Sequence, residues 1–188
     1  RSELGGNLTV TDWYPSVLIW LLALILLINY EFPYGLRLKD RGLPGNIAIS
    51  ISVGLVVVFG SSAALQPYNT KAWSLFFVGI FYNTSREIIK DVEDMEGDKG
   101  RNTLAMRIGS DNARTVAWAT SILALASILI PFATGIFPPL HVILVIPAVM
   151  TLMMVKGKII LGEDKAASSM LKKSMLLCLG ALLASSVL

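Results

Sequence analysis

Long uncharged stretches alternate with short charged ones along this chain. Residues 13–30, 42–70, 72–85, 115–155 and 174–188 contain no Asp, Glu, Lys or Arg. A helix needs about 20 apolar residues to cross a bilayer. The second stretch is therefore long enough to cross once and the fourth twice, while the shorter ones can span with flanking residues or inside a bundle. The pattern predicts about six membrane helices.

Prolines and turn residues divide the apolar stretches into helices. Proline cannot continue the helical hydrogen-bond ladder, so Pro33 ends the first helix, and Pro138 with Pro139 separates the two helices in the fourth stretch. Asn46 follows a Gly- and Pro-rich turn and is a favourable N-cap residue. The predicted helices span residues 14–31, 46–65, 70–96, 112–132, 139–156 and 168–188.

The composition agrees with a membrane protein. The chain is 54% hydrophobic and only 15% charged, and its mean hydropathy is +0.66, which is far too apolar for a soluble domain of this size. The predicted fold is an all-α, polytopic transmembrane helix bundle. Residues 1–188 form one transmembrane domain, with no length left for a separate soluble domain.

The basic residues predict an orientation. Of the 16 Lys and Arg residues, only Arg1 and Lys71 fall at one end of the predicted bundle, and the others fall at the opposite end. Cytoplasmic loops carry the excess of Lys and Arg in membrane proteins. The charged end is therefore predicted to be cytoplasmic, in the cell membrane, and topology explains the net charge of +3 better than nucleic-acid binding does.

Six of the 13 acidic residues lie in a short run directly after the third apolar stretch. Four of them, Glu87, Asp91, Asp94 and Asp98, are spaced 4, 3 and 4 apart, so a continuous helix would place all four within roughly a 60° arc. Carboxylates at a membrane boundary are costly unless a cation binds them. The spacing favours a divalent metal site that carries a phosphorylated ligand.

A basic segment at the same end complements the acidic run. Tyr34, Arg37 and Lys39 lie in the first loop, and Mg²⁺ in proteins is typically bound by carboxylates together with substrate phosphates. Arg and Lys can neutralise the remaining phosphate oxygens. For this loop alone, a solvated topology signal remains an equally good interpretation. On the third helix, Arg86 and Lys90 can pair with the neighbouring carboxylates.

The acidic segment resembles a known family motif. Residues 83–98, NTSREIIKDVEDMEGD, followed by 102–109, NTLAMRIG, resemble the second aspartate-rich motif of the UbiA-type intramembrane prenyltransferases. The form of the motif is similar to the branch that contains archaeal digeranylgeranylglyceryl phosphate synthases and the homogentisate and chlorophyll prenyltransferases. Residues 34–41, with Gly45 and Asn46 after them, resemble the basic cytoplasmic loop of the family.

The resemblance implies Mg²⁺-dependent transfer of an isoprenoid from its diphosphate to a lipophilic acceptor in the bilayer. The expected donor group is geranylgeranyl, and the expected acceptor is geranylgeranylglyceryl phosphate, with a quinone or aromatic precursor as the alternative. The implied catalytic residues are Asp91, Asp94 and Asp98, which would hold the metal with help from Glu87. The implied diphosphate-binding residues are Tyr34, Arg37, Lys39, Asn83, Arg86 and Lys90.

The chain departs from the family pattern in one respect. The family has about nine membrane helices and a first aspartate-rich motif of Asn-Asp-x-x-Asp type, which has no counterpart here, since Asp12 is isolated. We expect that motif to lie upstream of Arg1. Without it, these residues hold half of an active site, and a non-catalytic membrane scaffold stays open as an alternative.

An ion or metal transporter is the alternative from another functional class. Transporters usually place their binding carboxylates near the bilayer midplane. Here the carboxylates lie at the membrane edge beside basic residues, which favours a phosphate ligand. The sequence does not indicate an oligomeric state.

Overall fold

A computed structural model describes residues 10–97 and 100–188. Within these ranges the chain contains no β-strand and forms seven α-helices, which confirms the predicted all-α bundle. The helices are α1 (Tyr14–Glu31), α2 (Leu43–Ala63), α3 (Thr70–Glu93), α4 (Leu104–Ile108), α5 (Ser110–Ala133), α6 (Val142–Ile160) and α7 (Asp164–Val187).

Several predicted helix bounds are wrong at the charged end. Helix α6 ends at Ile160 and α7 begins at Asp164, each four residues from the prediction, and the bounds of α2 and α3 affect the predicted site. Helix α2 begins at Leu43, three residues before the predicted start at residue 46, because Pro44 suits the first helical turn. Asn46 therefore lies inside α2 and is not its N-cap. Helix α3 ends at Glu93, and residues 94–97 form a turn, so the continuous helix assumed for the acidic run stops before Asp94.

The sequence prediction also missed the short helix α4. Thr103 caps it, with its hydroxyl oxygen accepting a hydrogen bond from the Met106 backbone N–H at 3.4 Å. Gly109 ends it with a φ of +83°, a conformation that favours glycine. The same Gly109 is the N-cap residue of α5.

Helix α3 is the centre of the bundle. It packs against α2, α5 and α7, and 13 of its 24 residues are buried. Five helices (α1, α2, α5, α6 and α7) are long and apolar enough to cross a membrane. Helix α3, with its charged C-terminal end, does not meet that criterion, and its neighbours shield it instead.

Buried hydroxyl groups connect α3 to its neighbours. The Tyr82 hydroxyl lies 2.8 Å from the Ser174 hydroxyl of α7, which donates to the Ala148 carbonyl of α6 at 2.6 Å. The Ser85 hydroxyl lies 2.8 Å from the Ser121 hydroxyl of α5. Hydrogen bonds between small polar residues are a common means of helix association in membranes, and here they fix the position of α3.

A glycine brings α2 and α3 close together. A Cβ atom added at Gly54 would lie 2.8 Å from Phe76 Cδ2 and 3.1 Å from the Phe76 carbonyl oxygen. Such a separation is shorter than any ordinary contact, so only glycine fits this position without movement of α3.

Replacing Gly54 with Ala is expected to lower the Tm of the detergent-solubilised protein, because overpacking costs about 1–3 kcal/mol. Gly60→Ala is the matched control in the same helix, since no atom lies within 4 Å of the added Cβ. This control is expected to keep or slightly raise the Tm. Thermal unfolding followed by size-exclusion chromatography measures both, and equal shifts would contradict the close packing of α2 and α3.

Candidate active site

Helix ends and connecting loops gather most of the charged groups at one end of the bundle. The C-terminal turn of α3 lies there beside the first turn of α2, as the contact between Asp91 and Asn46 shows. Helices α5 and α7 begin at the same end, where Arg114 donates to both carboxylate oxygens of Asp164 at 2.9 and 2.6 Å. This charged end holds every described residue of the predicted site.

Asp91 is the buried carboxylate of this end. It is 9% exposed, and its Oδ2 atom accepts a hydrogen bond of 2.9 Å from Nδ2 of Asn46. A Cβ atom at Gly45 would collide with the Leu38 carbonyl, so the glycine lets the loop before α2 pack against the first turn of that helix. The hydrogen bond from Asn46 thus holds Asp91 between α2 and α3.

Glu87 lies one helical turn before Asp91 and contacts two cations. Its carboxylate accepts from Arg86 at 2.7 Å and lies 3.8 Å from Lys90 Nζ. Arg86 Nε is buried and has no hydrogen-bond partner among the described residues. A buried N–H group without a partner is costly, so this atom is a suitable donor for an anionic ligand.

The structure places Asp94 of the predicted stripe beyond the helix that carries Glu87 and Asp91. Asp94 is exposed and follows the last residue of α3, and Asp98 lies outside the described residues. Among residues 10–97 and 100–188, no three His, Cys, Asp or Glu side chains come close enough to hold a metal ion by themselves.

Asn83 occupies the same side of α3, one turn further into the bundle. It is buried and donates to the Ser50 hydroxyl at 3.2 Å, and Ser50 in turn donates to the Asn46 carbonyl at 2.6 Å. The predicted diphosphate-binding Asn83 therefore supports the α2 turn that holds Asp91.

The basic loop is held by ion pairs. Lys39 pairs with Glu31 at the end of α1, and Arg37 pairs with Asp40 at 2.9 Å. Arg101 donates to the Lys39 carbonyl at 3.3 Å and so connects this loop to the segment before α4. Tyr34 is 92% exposed and extends away from the bundle.

Sequence reasoning missed the roles of two residues of this region, Asn46 and Arg101. Asn46 resembled a helix cap. Only the amide–carboxylate pair could have been suspected, because both members are polar residues at the ends of apolar helices.

These features define a class of protein. Five helices can cross a membrane by length and composition, and polar side chains converge at one end of the bundle. The chain is an integral membrane protein with a candidate site at the boundary between its apolar interior and its charged end.

Comparison with known sequences identifies the family. Residues 4–180 match the UbiA prenyltransferase family, so the chain belongs to that family, which confirms the resemblance of its acidic motif. No solved structure matches the chain.

Archaeal relatives share substantial identity with the chain. The digeranylgeranylglyceryl phosphate synthase of Methanopyrus kandleri is 33% identical over 156 residues, which is 81% of this chain and 57% of that protein. The synthase of Korarchaeum cryptofilum is 34% identical over 156 residues, or 78% and 54% of the two chains. That of Methanosarcina mazei is 37% identical over 115 residues, or 60% and 39%. The chain spans about half the length of the curated relatives it matches.

Replacing Asn46 with Leu is expected to destabilise the protein by about 1–3 kcal/mol, because a buried carboxylate loses a hydrogen-bond donor. The Tm in detergent measures the effect. Asn112→Leu is the matched control, since Asn112 is exposed and donates only to the Ile108 carbonyl of its own chain segment.

A double-mutant cycle isolates the pair. Asn46→Leu combined with Asp91→Leu is expected to destabilise the protein by less than the sum of the single changes. The double variant removes both polar groups, so no buried polar group is left without its hydrogen-bond partner. Additive effects would show that the Asn46–Asp91 hydrogen bond contributes nothing to stability.

Proposed function

We propose that the full-length protein transfers a geranylgeranyl group from its diphosphate to geranylgeranylglyceryl phosphate, as the names of its archaeal relatives suggest. The observation that carries the proposal is the buried Asp91, held by Asn46, beside Arg86 and Glu87 at the charged end of a membrane bundle. Carboxylates and cations at the edge of an apolar interior suit a substrate with a diphosphate head and an isoprenoid tail.

Mg²⁺ is the metal that we propose for this site. Members of the family generally depend on a divalent metal, and Mg²⁺ is usually bound through one or two carboxylates plus substrate phosphates. Asp91 and Asp94, with Asp98 and help from Glu87, would hold it. Carboxylate oxygens are the ligands that Mg²⁺ prefers. Substrate phosphates would have to complete the coordination, because no three described carboxylates come together. Bound metal would neutralise charge on the departing diphosphate.

The cations of α3 are the best-supported contacts for the diphosphate. Arg86 offers a buried Nε–H without a partner among the described residues, and Lys90 lies on the same helix. Lys39 and the more exposed Tyr34 and Arg37 remain predictions from the sequence. Donors aimed at the phosphate oxygens would stabilise the negative charge that develops as the diphosphate leaves.

The proposed reaction breaks one carbon–oxygen bond and forms another. The allylic C1–O bond of the prenyl diphosphate ionises, and the bonding electrons leave with the diphosphate. The free hydroxyl oxygen of the acceptor then bonds to C1 and loses its proton, so the products are an ether, diphosphate and H⁺. The apolar helices would exclude water, which would otherwise capture the allylic cation.

The location of the site follows from the same proposal. The charged end would face the cytoplasm of the cell, because the excess of Lys and Arg lies there. Prenyl diphosphate would then reach the site from the cytoplasmic side of the cell membrane, while its tail lies among the helices.

Asp91→Ala and Asp98→Ala are each expected to lower product formation by at least about 100-fold, because each removes charge that positions the metal and the diphosphate. The assay uses purified full-length protein with geranylgeranyl diphosphate and geranylgeranylglyceryl phosphate. Glu96→Gln is the matched control, since Glu96 is exposed on the turn after α3. Full activity of both Asp variants with unchanged Tm would sink the proposal.

Removing divalent metal is expected to abolish transfer, and Mg²⁺ is expected to restore it. Chelation followed by titration with Mg²⁺ or Ca²⁺ measures the dependence, and the larger Ca²⁺ should restore less activity. Product formation in the absence of any divalent metal would contradict a magnesium–diphosphate site.

Adding a quinone or aromatic precursor as a competing acceptor to the same assay tests the alternative substrate class.

A further inference from the structure

A second basic site, here named the arginine pocket, lies beside the first turn of α2. It is a cavity of about 500 Å³ between the loop after α1 and the segment around α4. Its polar lining residues are Arg37, Asp40, Arg41, Asn102 and Arg107, and Pro44 of α2 forms one wall. This volume lies in the lower part of the range found for ligand pockets. It accommodates a phosphate together with a glycerol unit.

Hydrogen bonds position the three guanidinium groups. Arg41 donates from Nε to the Leu36 carbonyl at 2.7 Å, and Arg107 donates from Nε to Asn102 Oδ1 at 2.9 Å. Arg37 pairs with Asp40. A guanidinium carries five N–H donors, so these bonds orient the groups and leave donors for a ligand.

The backbone supports the same interpretation. Arg37 has a φ of +46°, a left-handed conformation that is uncommon for any residue other than glycine. Such conformations persist where the surroundings enforce them, and they are concentrated at binding sites. Here the conformation brings Arg37 to the wall of the arginine pocket.

The charge of the pocket matches a phosphate monoester. Three Arg residues and one Asp residue line it, which gives a formal charge of +3 − 1 = +2. A phosphate monoester carries about −1.5 to −2 at neutral pH, and the planar guanidinium fork matches phosphate oxygens in pairs. The pocket can therefore neutralise such a group without a metal.

The arginine pocket and the Asp91 site lie on different sides of α2. Pro44 lines the pocket, whereas Asn46, two residues later, bonds Asp91. Two residues correspond to a rotation of about 200° around a helix. The two anion sites are therefore separated by the first turn of α2, and one ligand phosphate does not occupy both.

We propose that the arginine pocket binds the phosphate monoester of the lipid acceptor, which places the acceptor head group beside α2 while the prenyl diphosphate occupies the α3 side. This inference rests on the proposed function. It gives Arg37 a role toward the acceptor and not toward the diphosphate. Arg41 and Arg107 become specificity-determining residues for a phosphorylated acceptor.

The test compares Arg41→Gln/Arg107→Gln with the control Lys172→Gln/Lys173→Gln, which removes two exposed charges from α7. Full-length protein in phosphatidylcholine nanodiscs is titrated, without prenyl diphosphate, with geranylgeranylglyceryl phosphate, with the corresponding alcohol that lacks the phosphate, and with phosphatidic acid. The same variants are assayed for KM toward acceptor and toward geranylgeranyl diphosphate. Tm values establish that each variant is folded.

The wild type is expected to bind the phosphorylated acceptor at least tenfold more tightly than the alcohol. The arginine variant is expected to lose that preference and to raise the acceptor KM roughly tenfold or more, the loss expected for charge-assisted hydrogen bonds. Its KM for geranylgeranyl diphosphate should stay unchanged. The lysine control should keep the wild-type acceptor binding and both wild-type KM values. Competition by inorganic phosphate that disappears in the arginine variant would also support the inference.

Three results would overturn it. Equal binding of phosphate and alcohol by the wild type would show that the pocket does not recognise the phosphate. A higher KM for geranylgeranyl diphosphate alone would assign the pocket to the donor. Loss of phosphatidic acid binding with unchanged acceptor binding would assign it to a bilayer lipid.

The two proposals fail in different ways. Phosphate-selective acceptor binding without any ether product would refute the proposed function and leave the pocket as the binding site. Ether formation that is unaffected by the arginine variant would refute the pocket alone.

Discussion

The burial of Asp91 constrains the rest of the charged end. A carboxylate that is 9% exposed is costly to keep ionised unless hydrogen bonds or cations compensate it. Asn46 supplies one such bond from α2, so α2 and α3 must keep a fixed register at this point. Ser50 and Asn83 continue the connection inward, and Gly54 lets the two helices approach closely enough to maintain it.

The central position of α3 explains how a helix with a charged end can belong to a membrane bundle. Lipid-facing helices must be apolar along their length, and the five that satisfy this condition include three neighbours of α3. Because those neighbours bury α3, its polar residues Tyr82, Asn83 and Ser85 find polar side chains on the helices around it. Tyr82 and Ser85 bond to serine hydroxyls within the bundle, and the charged residues follow only where the helix leaves it.

The sequence predicted what depends on long apolar stretches and missed what depends on contacts. Six long helices were predictable because about 20 apolar residues suffice to identify a span. Helix α4 was not, since five residues are too short for a periodic pattern. Asn46 looked like a helix cap because a cap and a buried amide share the same residue type. Its role needed the partner on α3, which is 45 positions away in the chain.

Charge balance distinguishes the two proposed anion sites at this end. On the α3 side, Arg86 and Lys90 are offset by Glu87 and Asp91, so these four residues have a formal charge of zero. In the proposed complex, a diphosphate there would gain little attraction from these four residues alone, and a divalent cation would supply what is missing. The arginine pocket carries +2 from its own residues. In the proposed reaction, metal dependence therefore belongs to the side that would hold the leaving group, where charge would develop, and not to the side that would hold a phosphate unchanged by it.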